Sequence, residues 1–578
     1  MVNAAWLAHY EPDVPHTLTY PDIPLHRFLE DSARRYPDNV ATKIVLKYLL
    51  GGRVTIGGTL AYRELNSYAD RFAAALAKLG VKSGDRVAVM LPNSPQFAIA
   101  FYGALKIGAV VVNVNPTYTA HELKHQLIDA GAETIVLLNL FYKRLEEVRE
   151  ATPIKNVIVT HIFDLLPFPS KQLVARAQRK EADWVDVEPG PGRYLFEPLL
   201  QNAPTKPPQV EIKPDDVALF QYTGGTTGVP KAAMLTHKNL VSNTLQVVSF
   251  LPSAEPGKEK VMAAIPFFHV YGMTVAMNFA VYVGGEIIIV PNPRPIDNVM
   301  RIIAKERATI FPGVPAMYIG IINHPDVHKT DLRSIKACIS GSAPLPMEVQ
   351  EQFGALTGGR LVEGYGLTET APVTHCNPVF GERRAGSIGL PLPDIEARLI
   401  NAETGLPVPW GSDEVGELLV RGPNIMKGYW NKAEETADTI DDEGWLHTGD
   451  IARMDDEGYF YIVDRKKDMI NASGYKVLPR EIEEVLFTHP QVLEAAVAGV
   501  PDSYRGENVK AFIVAKPGAT PSAEEIKAFC RERLAPYKVP RQIEFRDELP
   551  KTQVGKVLRR VLVEEHIKGK AEQVPSQN

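Results

Sequence analysis

The chain has 578 residues, of which 45% are hydrophobic and 23% charged, an ordinary globular composition that excludes collagen-like or wholly disordered readings. At roughly 150 residues per domain it holds about four domain-sized units. With 63 Lys+Arg against 69 Asp+Glu the net charge is −6, so no basic excess exists to neutralise a phosphate backbone, and no nucleic-acid partner is expected.

Residues 84–137 alternate strand and helix signals. DRVAVMLP reads as a strand stopped by Pro-Asn-Ser-Pro, QFAIAFYGALKIG as a helix, VVVNVNP as a strand, AHELKHQLIDAGA as a helix and ETIVLL as a strand. Strands separated by single helices predict parallel crossovers and a sheet covered on both faces. The HELKH run (121–125) has the spacing of a helical zinc pair. Thr119 and Glu122, however, make a capping box that gives the glutamate a structural task, and no third ligand follows.

Residues 161–214 are poorly patterned and read as an insertion or linker, from FDLLPFPSKQLVARAQRK to the Pro-rich APTKPPQVEIKP. Within 161–184, Phe and Leu mix with Lys171, Arg176, Arg179 and Lys180. Weak contact with a membrane surface competes there with a solvated linker, which the absence of a clean apolar stripe favours.

After the strand VALFQ comes YTGGTTGVPK, residues 222–231, with three glycines, three threonines and Lys231 at its end. Its amides can approach an anion closely and its hydroxyls can meet phosphate or metal. Lys231 follows Pro230 and precedes Ala232, so this is not a Walker A loop. The uncharged run 266–285, PFFHVYGMTVAMNFAVYVGG, approaches a membrane span in length. It starts with Pro, carries His269 and Asn278, and runs into EIIIV, so a core helix followed by a strand is predicted. The α/β style continues through NVMRIIAKE, ATIFPGVP and IKACISGSA.

EGYGLTET follows, where Gly364 and Gly366 free the backbone, Tyr365 offers a flat face to a base and Glu369 a hard oxygen for Mg²⁺. From about 380 the pattern becomes hairpin-like (EARLI, GELLVRG, RMDDEGYFYIVDRKKD), which predicts an antiparallel or barrel subdomain. GWLHTGD places Asp450 where a carboxylate can accept ribose hydroxyls. A boundary is expected near Asp464, followed by a compact unit of EIEEVLFTHP, EAAVAGVP, NVKAFIVAK and AEEIKAFCRERL. Lys556 then follows a glycine in PKTQVGKVLRR, and 568–578 reads as a disordered tail. Three scattered cysteines, Cys338, Cys376 and Cys530, and no basic-then-apolar N-terminus point to a cytoplasmic setting.

Read in order, the motifs VVVNVNPTYTAHELKHQL, QYTGGTTGVPKAAMLTH, EGYGLTETAPV, GSIGLPLPD, GWLHTGDIARMDDEGYFYIVDRKKDMI and YKVPRQIEFRDELPKTQVGKVLRR resemble the adenylate-forming superfamily of acyl-CoA synthetases, luciferases and adenylation domains. The resemblance is strongest to bacterial long-chain fatty-acid–CoA ligases and weakest at about 43–58 and 161–210. It implies an α/β fold: a large N-terminal domain (1–463) of parallel-sheet subdomains plus a small barrel, and a small mobile α+β domain (464–578) hinged at Asp464. The implied substrates are a fatty acid, ATP with Mg²⁺, and coenzyme A.

The resemblance also implies site residues. Thr223, Gly224, Gly225, Thr226, Thr227, Gly228 and Lys231 would form the phosphate loop, with Thr223 and Glu369 at the metal. Gly341, Ser342, Ala343, Glu363, Gly364, Tyr365, Gly366 and Thr368 would surround the nucleotide, with Asp450 and Arg465 at ribose. Lys556 would bridge the carboxylate and the α-phosphate, and Ser473, Gly474 and Tyr475 would flank coenzyme A. His269, Val270, Tyr271, Gly272, Met273 and Gly313 would form the acyl pocket. Some long-chain ligases carry a gating Trp near the place of Met273, and several relatives have a lysine at the place of Asn471, which is given no role here. An aryl (coumarate-type) or medium-chain acid ligase, or a free-standing protein loading a carrier, is the alternative. A nucleotide-binding module without turnover is disfavoured by Glu369 and Lys556. A homodimer is compatible with the sequence, which does not settle the oligomeric state.

Overall fold

The computed structural model describes residues 5–50, 53–223, 230–401, 404–412, 414–465, 468–472, 475–502, 506–552 and 555–572. The fold is α/β, as expected. Seven strands form the first sheet in the order Arg193–Leu195, Asn156–Thr160, Thr134–Leu138, Arg86–Met90, Val110–Asn113, Val217–Tyr222 and Ala232–Thr236. All neighbours are parallel except the last pair. The strands predicted within 84–137 lie at its centre, and those at 110–113 and 134–138 are buried throughout, as strands covered on both faces must be.

The helix Pro95–Lys106 begins where Ser94 accepts the Phe97 N–H and a proline fills the first position. All twelve of its residues are buried. In the helix Ala120–Ala130, Thr119 accepts the Glu122 N–H at 3.3 Å while the Glu122 carboxylate accepts the Thr119 N–H at 2.8 Å. The glutamate of the HELKH run is therefore a cap.

The segment expected as an insertion is built into the sheet instead. Arg193–Leu195 forms its edge strand, and the helix Phe196–Gln201 buries Phe196 and Leu200. A further helix, Ser170–Gln178, hangs beside the hairpin strand Val54–Ala61, where Ser170 accepts the Gly57 N–H. Short elements of three to nine residues separated by prolines hide the periodicity that the sequence reading needs.

Two four-stranded sheets make the next layer. One has the order Lys260–Ala263, Glu286–Ile289, Val40–Leu49, Val54–Ala61, and the other Ala337–Ser340, Arg360–Gly366, Val373–Cys376, Leu390–Pro391. Ile310 bridges Val261 on one side and Ala337 on the other, so ATIFPGVP acts as a splice between sheets. The uncharged run folds as expected, with a widened π-helical turn at Gly272–Asn278, a helix to Val283, and then the strand Glu286–Ile289. Among the described residues no helix is long and apolar enough to cross a membrane.

The hairpin-like region forms an antiparallel sheet of Glu396–Ile400, Gly416–Arg421, Leu446–Met454 and Phe460–Arg465. Beyond it, Tyr475–Val477, Ile470–Ala472, Gly506–Ala515 and Val492–Asp502 form a further sheet, with Gln542–Phe545 parallel to the third of these. Its two apolar clusters contain only residues from 470 onward. The last helix runs from Arg559 to Glu572, into the stretch read as a tail, while 573–578 lie outside the described residues.

Burial holds several histidines neutral. The pKa values of His26 and His375 are pushed down to about 3, and that of His237, whose Nδ1 accepts the Leu25 N–H at 3.1 Å, to about 4. A depressed histidine stabilises the fold fully above its unfolded value near 6.5 and loses that contribution as pH falls through the folded value. Thermal midpoints should therefore drop between pH 6.5 and 4, and His237→Gln should remove up to about 3 kcal/mol of that dependence. An unchanged slope in the variant would assign the acid lability elsewhere.

Candidate active site

The glycine- and threonine-rich segment joins two antiparallel strands, which makes it a hairpin tip. The Thr223 N–H donates to the Lys231 carbonyl at 2.9 Å and closes its base. Gly224, Gly225, Thr226, Thr227 and Gly228 lie outside the described residues. The Lys231 ammonium sits 4.9 Å above the Tyr429 ring, and the Tyr429 hydroxyl donates to Glu369 Oε1 at 2.7 Å. One chain of contacts thus ties the base of the loop to the carboxylate expected at the metal. Thr368 and Glu369 share one short turn.

A cleft with about 1370 Å³ of empty space opens between the main body and the C-terminal unit. Ser342, Ala343, Glu363, Gly364, Tyr365, Gly366, Asp450, Arg465 and Lys556 line it. Thr223, Lys231 and Glu369 are not among its lining residues, and neither is Gly341, which packs against the ring of Tyr271. A Cβ on Gly366 would fall 1.8 Å from the Pro372 carbonyl oxygen, so only glycine fits there.

Asp450 and Arg465 face each other across paired strands. Asp450 accepts the Tyr365 hydroxyl at 2.5 Å and pairs with Arg465 Nε at 3.1 Å. A carboxylate has about four lone-pair sites, which leaves acceptor capacity for a further hydroxyl. Burial pushes the Glu363 pKa up to about 7 against the opposing charge of Arg480, and its carboxylate accepts the Leu345 N–H at 3.2 Å. Burial likewise raises Asp464 to about 6. The Asp464 carboxylate accepts the Arg480 N–H at 3.0 Å, at the start of the helix Pro479–Phe487. The expected hinge residue therefore joins the last strand of the antiparallel sheet to the first helix of the C-terminal unit.

Lys556 sits at the tip of a tight turn in which the Thr552 N–H donates to the Lys556 carbonyl and Lys551 bridges Val557. Gly555, at φ +77°, lies against Val314 of the main body. Burial and the Lys556 charge push the His269 pKa down to about 4, so His269 is neutral at pH 7. His269 Nδ1 accepts the Tyr271 N–H at 3.3 Å, which leaves the ring proton on Nε2.

An apolar cavity is lined by Val247, Phe250, Leu251, Val275, Phe279, Ile310, Ala337, Cys338, Ile339, Val373, Cys376, Val379 and Leu392. None of the acyl-pocket residues named from the motif is among its lining residues, and Tyr271 touches it through Ile339. The Tyr271 hydroxyl donates to the carbonyls of Gly313 (3.1 Å) and Ile339 (2.7 Å), the latter a cavity residue. Val270 and Gly272 are buried, and Met273 turns into the main core beside Asn113, away from the cavity. From this segment the wall is supplied by Val275 and Phe279, two and six residues beyond Met273. No signal in the sequence marked Tyr429 or the lining from Val247 to Leu251, because a lone aromatic and a helix end carry no motif. Ser473 and Gly474 lie outside the described residues, and Tyr475 begins a strand paired with Ile470–Ala472.

The chain matches the AMP-binding enzyme family over residues 29–430 and the AMP-binding enzyme C-terminal domain over residues 481–556. It is 47% identical over 563 residues to a long-chain-fatty-acid–CoA ligase of Bacillus subtilis (strain 168), covering 97% of this chain and 98% of that one. It is 42% identical over 573 residues to a long-chain-fatty-acid–CoA ligase of Escherichia coli O157:H7, covering 98% of both. The crystal structure of the anthranilate CoA ligase AuaEII in complex with anthranoyl-AMP superposes with a TM-score of 0.83 at 28% identity, over 96% of this chain and 99% of that one. The similarity spans the main body, the cleft and the C-terminal unit, and the chain belongs to the AMP-binding enzyme family.

Proposed function

We propose that the protein is an ATP-dependent long-chain fatty-acid–CoA ligase. The observation that carries this reading is a polar cleft holding Asp450, Tyr365 and Lys556 next to an apolar cavity, with Ile339 lining the cavity and packing against Gly364 of the cleft. The carboxylate oxygen of the acid attacks the α-phosphorus of ATP, the bond to pyrophosphate breaks, and an acyl-adenylate forms. The thiol of coenzyme A then attacks the acyl carbon and AMP leaves.

Asp450 orients the ribose, and Tyr365 and Gly364 flank the base. Lys556 meets negative charge as it develops at the α-phosphate, which counts for most in a site closed to water. His269, neutral beside Lys556, offers its Nε2 proton to the substrate carboxylate. Glu369 keeps Oε2 clear of the Tyr429 contact, and with the Thr223 hydroxyl it would give Mg²⁺ the hard oxygens that ion prefers. Magnesium bound there would neutralise phosphate charge. For the second step the C-terminal unit turns about Asp464, withdrawing Lys556 and presenting the strand that begins at Tyr475 with Ser473 and Gly474.

With ATP, Mg²⁺ and palmitate but no coenzyme A, the protein should release about one pyrophosphate per site and retain acyl-adenylate; added coenzyme A should then release AMP. Formation of ADP, or pyrophosphate release that ignores the fatty acid, would refute the reading.

Weak contact with the membrane surface, where fatty acids partition, is supported by Phe168 and Leu173, 81% and 50% exposed beside the exposed Arg176, Arg179 and Lys180. Phe168→Ala/Leu173→Ala should at least halve the fraction that floats with anionic phospholipid vesicles. Equal flotation would remove this contact from the account.

A further inference from the structure

We infer that the N-terminal strap, residues 5–20, backs one wall of the apolar cavity and sets the length of acyl chain accepted, an inference that rests on the fatty-acid reading above. Phe250, Val379 and Leu392 line the cavity, and the strap is packed or bonded to the segments that carry these three.

Tyr10 meets Phe250 edge-on, with ring centroids 5.4 Å apart, and its hydroxyl donates to the Pro391 carbonyl at 2.6 Å, next to Leu392. The Glu11 carboxylate accepts the N–H of Phe380, next to Val379, at 2.9 Å. Asp394, two residues beyond Leu392, accepts the Thr17 hydroxyl (2.6 Å), the Leu18 N–H (2.9 Å) and the Tyr20 hydroxyl (2.7 Å). Trp6, Tyr10 and Val14 belong to the same apolar cluster as Phe250, Val275, Val373, Val379 and Leu392. The two loops that carry the wall are thus stapled to the strap, and the Tyr10 ring packs against Phe250. A longer chain that displaces Phe250 meets Tyr10, and the strap resists because it is held by the buried Tyr10–Pro391 hydrogen bond and by further bonds to Asp394 and Phe380.

Tyr10→Ala opens space behind Phe250, whereas Phe250→Trp fills the cavity. A methylene that a pocket cannot hold costs about tenfold or more in specificity. The kcat/KM ratio for a C20 over a C12 acid should therefore rise about tenfold in Tyr10→Ala and fall about tenfold in Phe250→Trp. Asp394→Asn, which tolerates the φ of +61° at this position, should move the ratio in the same direction as Tyr10→Ala. A strap with a purely structural role would lower activity equally at all lengths. An unchanged ratio in the folded variants, or an equal loss at every chain length, would overturn the inference while leaving fatty-acid activation intact. A wild-type protein that activates no fatty acid would instead remove the reading on which it rests.

Discussion

Lys556→Ala should lower acid-dependent pyrophosphate release by about 10²–10³-fold, the scale seen when one donor to a developing oxyanion is removed. The same variant, given pre-formed acyl-adenylate and coenzyme A, should make thioester at close to the wild-type rate. The asymmetry follows from placement. Lys556 lines the nucleotide cleft and its charge reaches His269, so it acts where the carboxylate and α-phosphate meet. It rides on a turn whose Gly555 lies against Val314, a contact that the C-terminal unit can leave. Equal loss in both half-reactions would mean that Lys556 serves the whole site, and that the two-position account of the C-terminal unit is wrong.

Asp450→Asn should raise the KM for ATP by about 30–100-fold with a smaller change in kcat, because the lost charge-assisted contacts bind ground state and transition state alike. It should also lower stability by about 2 kcal/mol. Asp450 is buried beneath the Tyr365 hydroxyl and the Arg465 guanidinium, and breaking a fully buried pair costs about 3–5 kcal/mol. Arg465 keeps some contact with solvent, which reduces that figure. An unchanged KM for ATP in a folded variant would place the ribose elsewhere.

The parts of the molecule legible in the sequence share one property: the chain repeats a physical pattern over enough residues to be read. The parallel strands at 84–137 show alternating apolar runs and helical spacing, and the Thr119–Glu122 cap can be read from two residues three apart. The residues that line the cleft were legible for another reason. Gly364, Tyr365 and Asp450 lie in motifs whose glycine, aromatic and charge content suits a nucleotide piece by piece, whereas Ser342 and Lys556 were marked only by the family resemblance.

The remainder depends on contacts between distant segments. Tyr429 matters because it reaches Glu369 from sixty residues away. The edge strand Arg193–Leu195 is too short to show alternation. The lining of the apolar cavity was not legible either, because in the widened turn at Gly272–Asn278 Met273 belongs to the main core while Val275, two residues on, lines the cavity. The strap residues Trp6 and Tyr10 sit in a segment with no period at all. Their role arises only where Asp394 and Glu11 pin the segment across the sheet.

The central claim is that the cleft activates a long apolar acid as an adenylate and passes it to coenzyme A. AMP release across an acid series from acetate through palmitate to coumarate, with coenzyme A present and absent, tests it most directly. The account predicts the largest kcat/KM for palmitate, little release with acetate or coumarate, and multiple turnovers only when coenzyme A is present. Preference for coumarate or acetate over palmitate, or turnover that does not depend on coenzyme A, would contradict it.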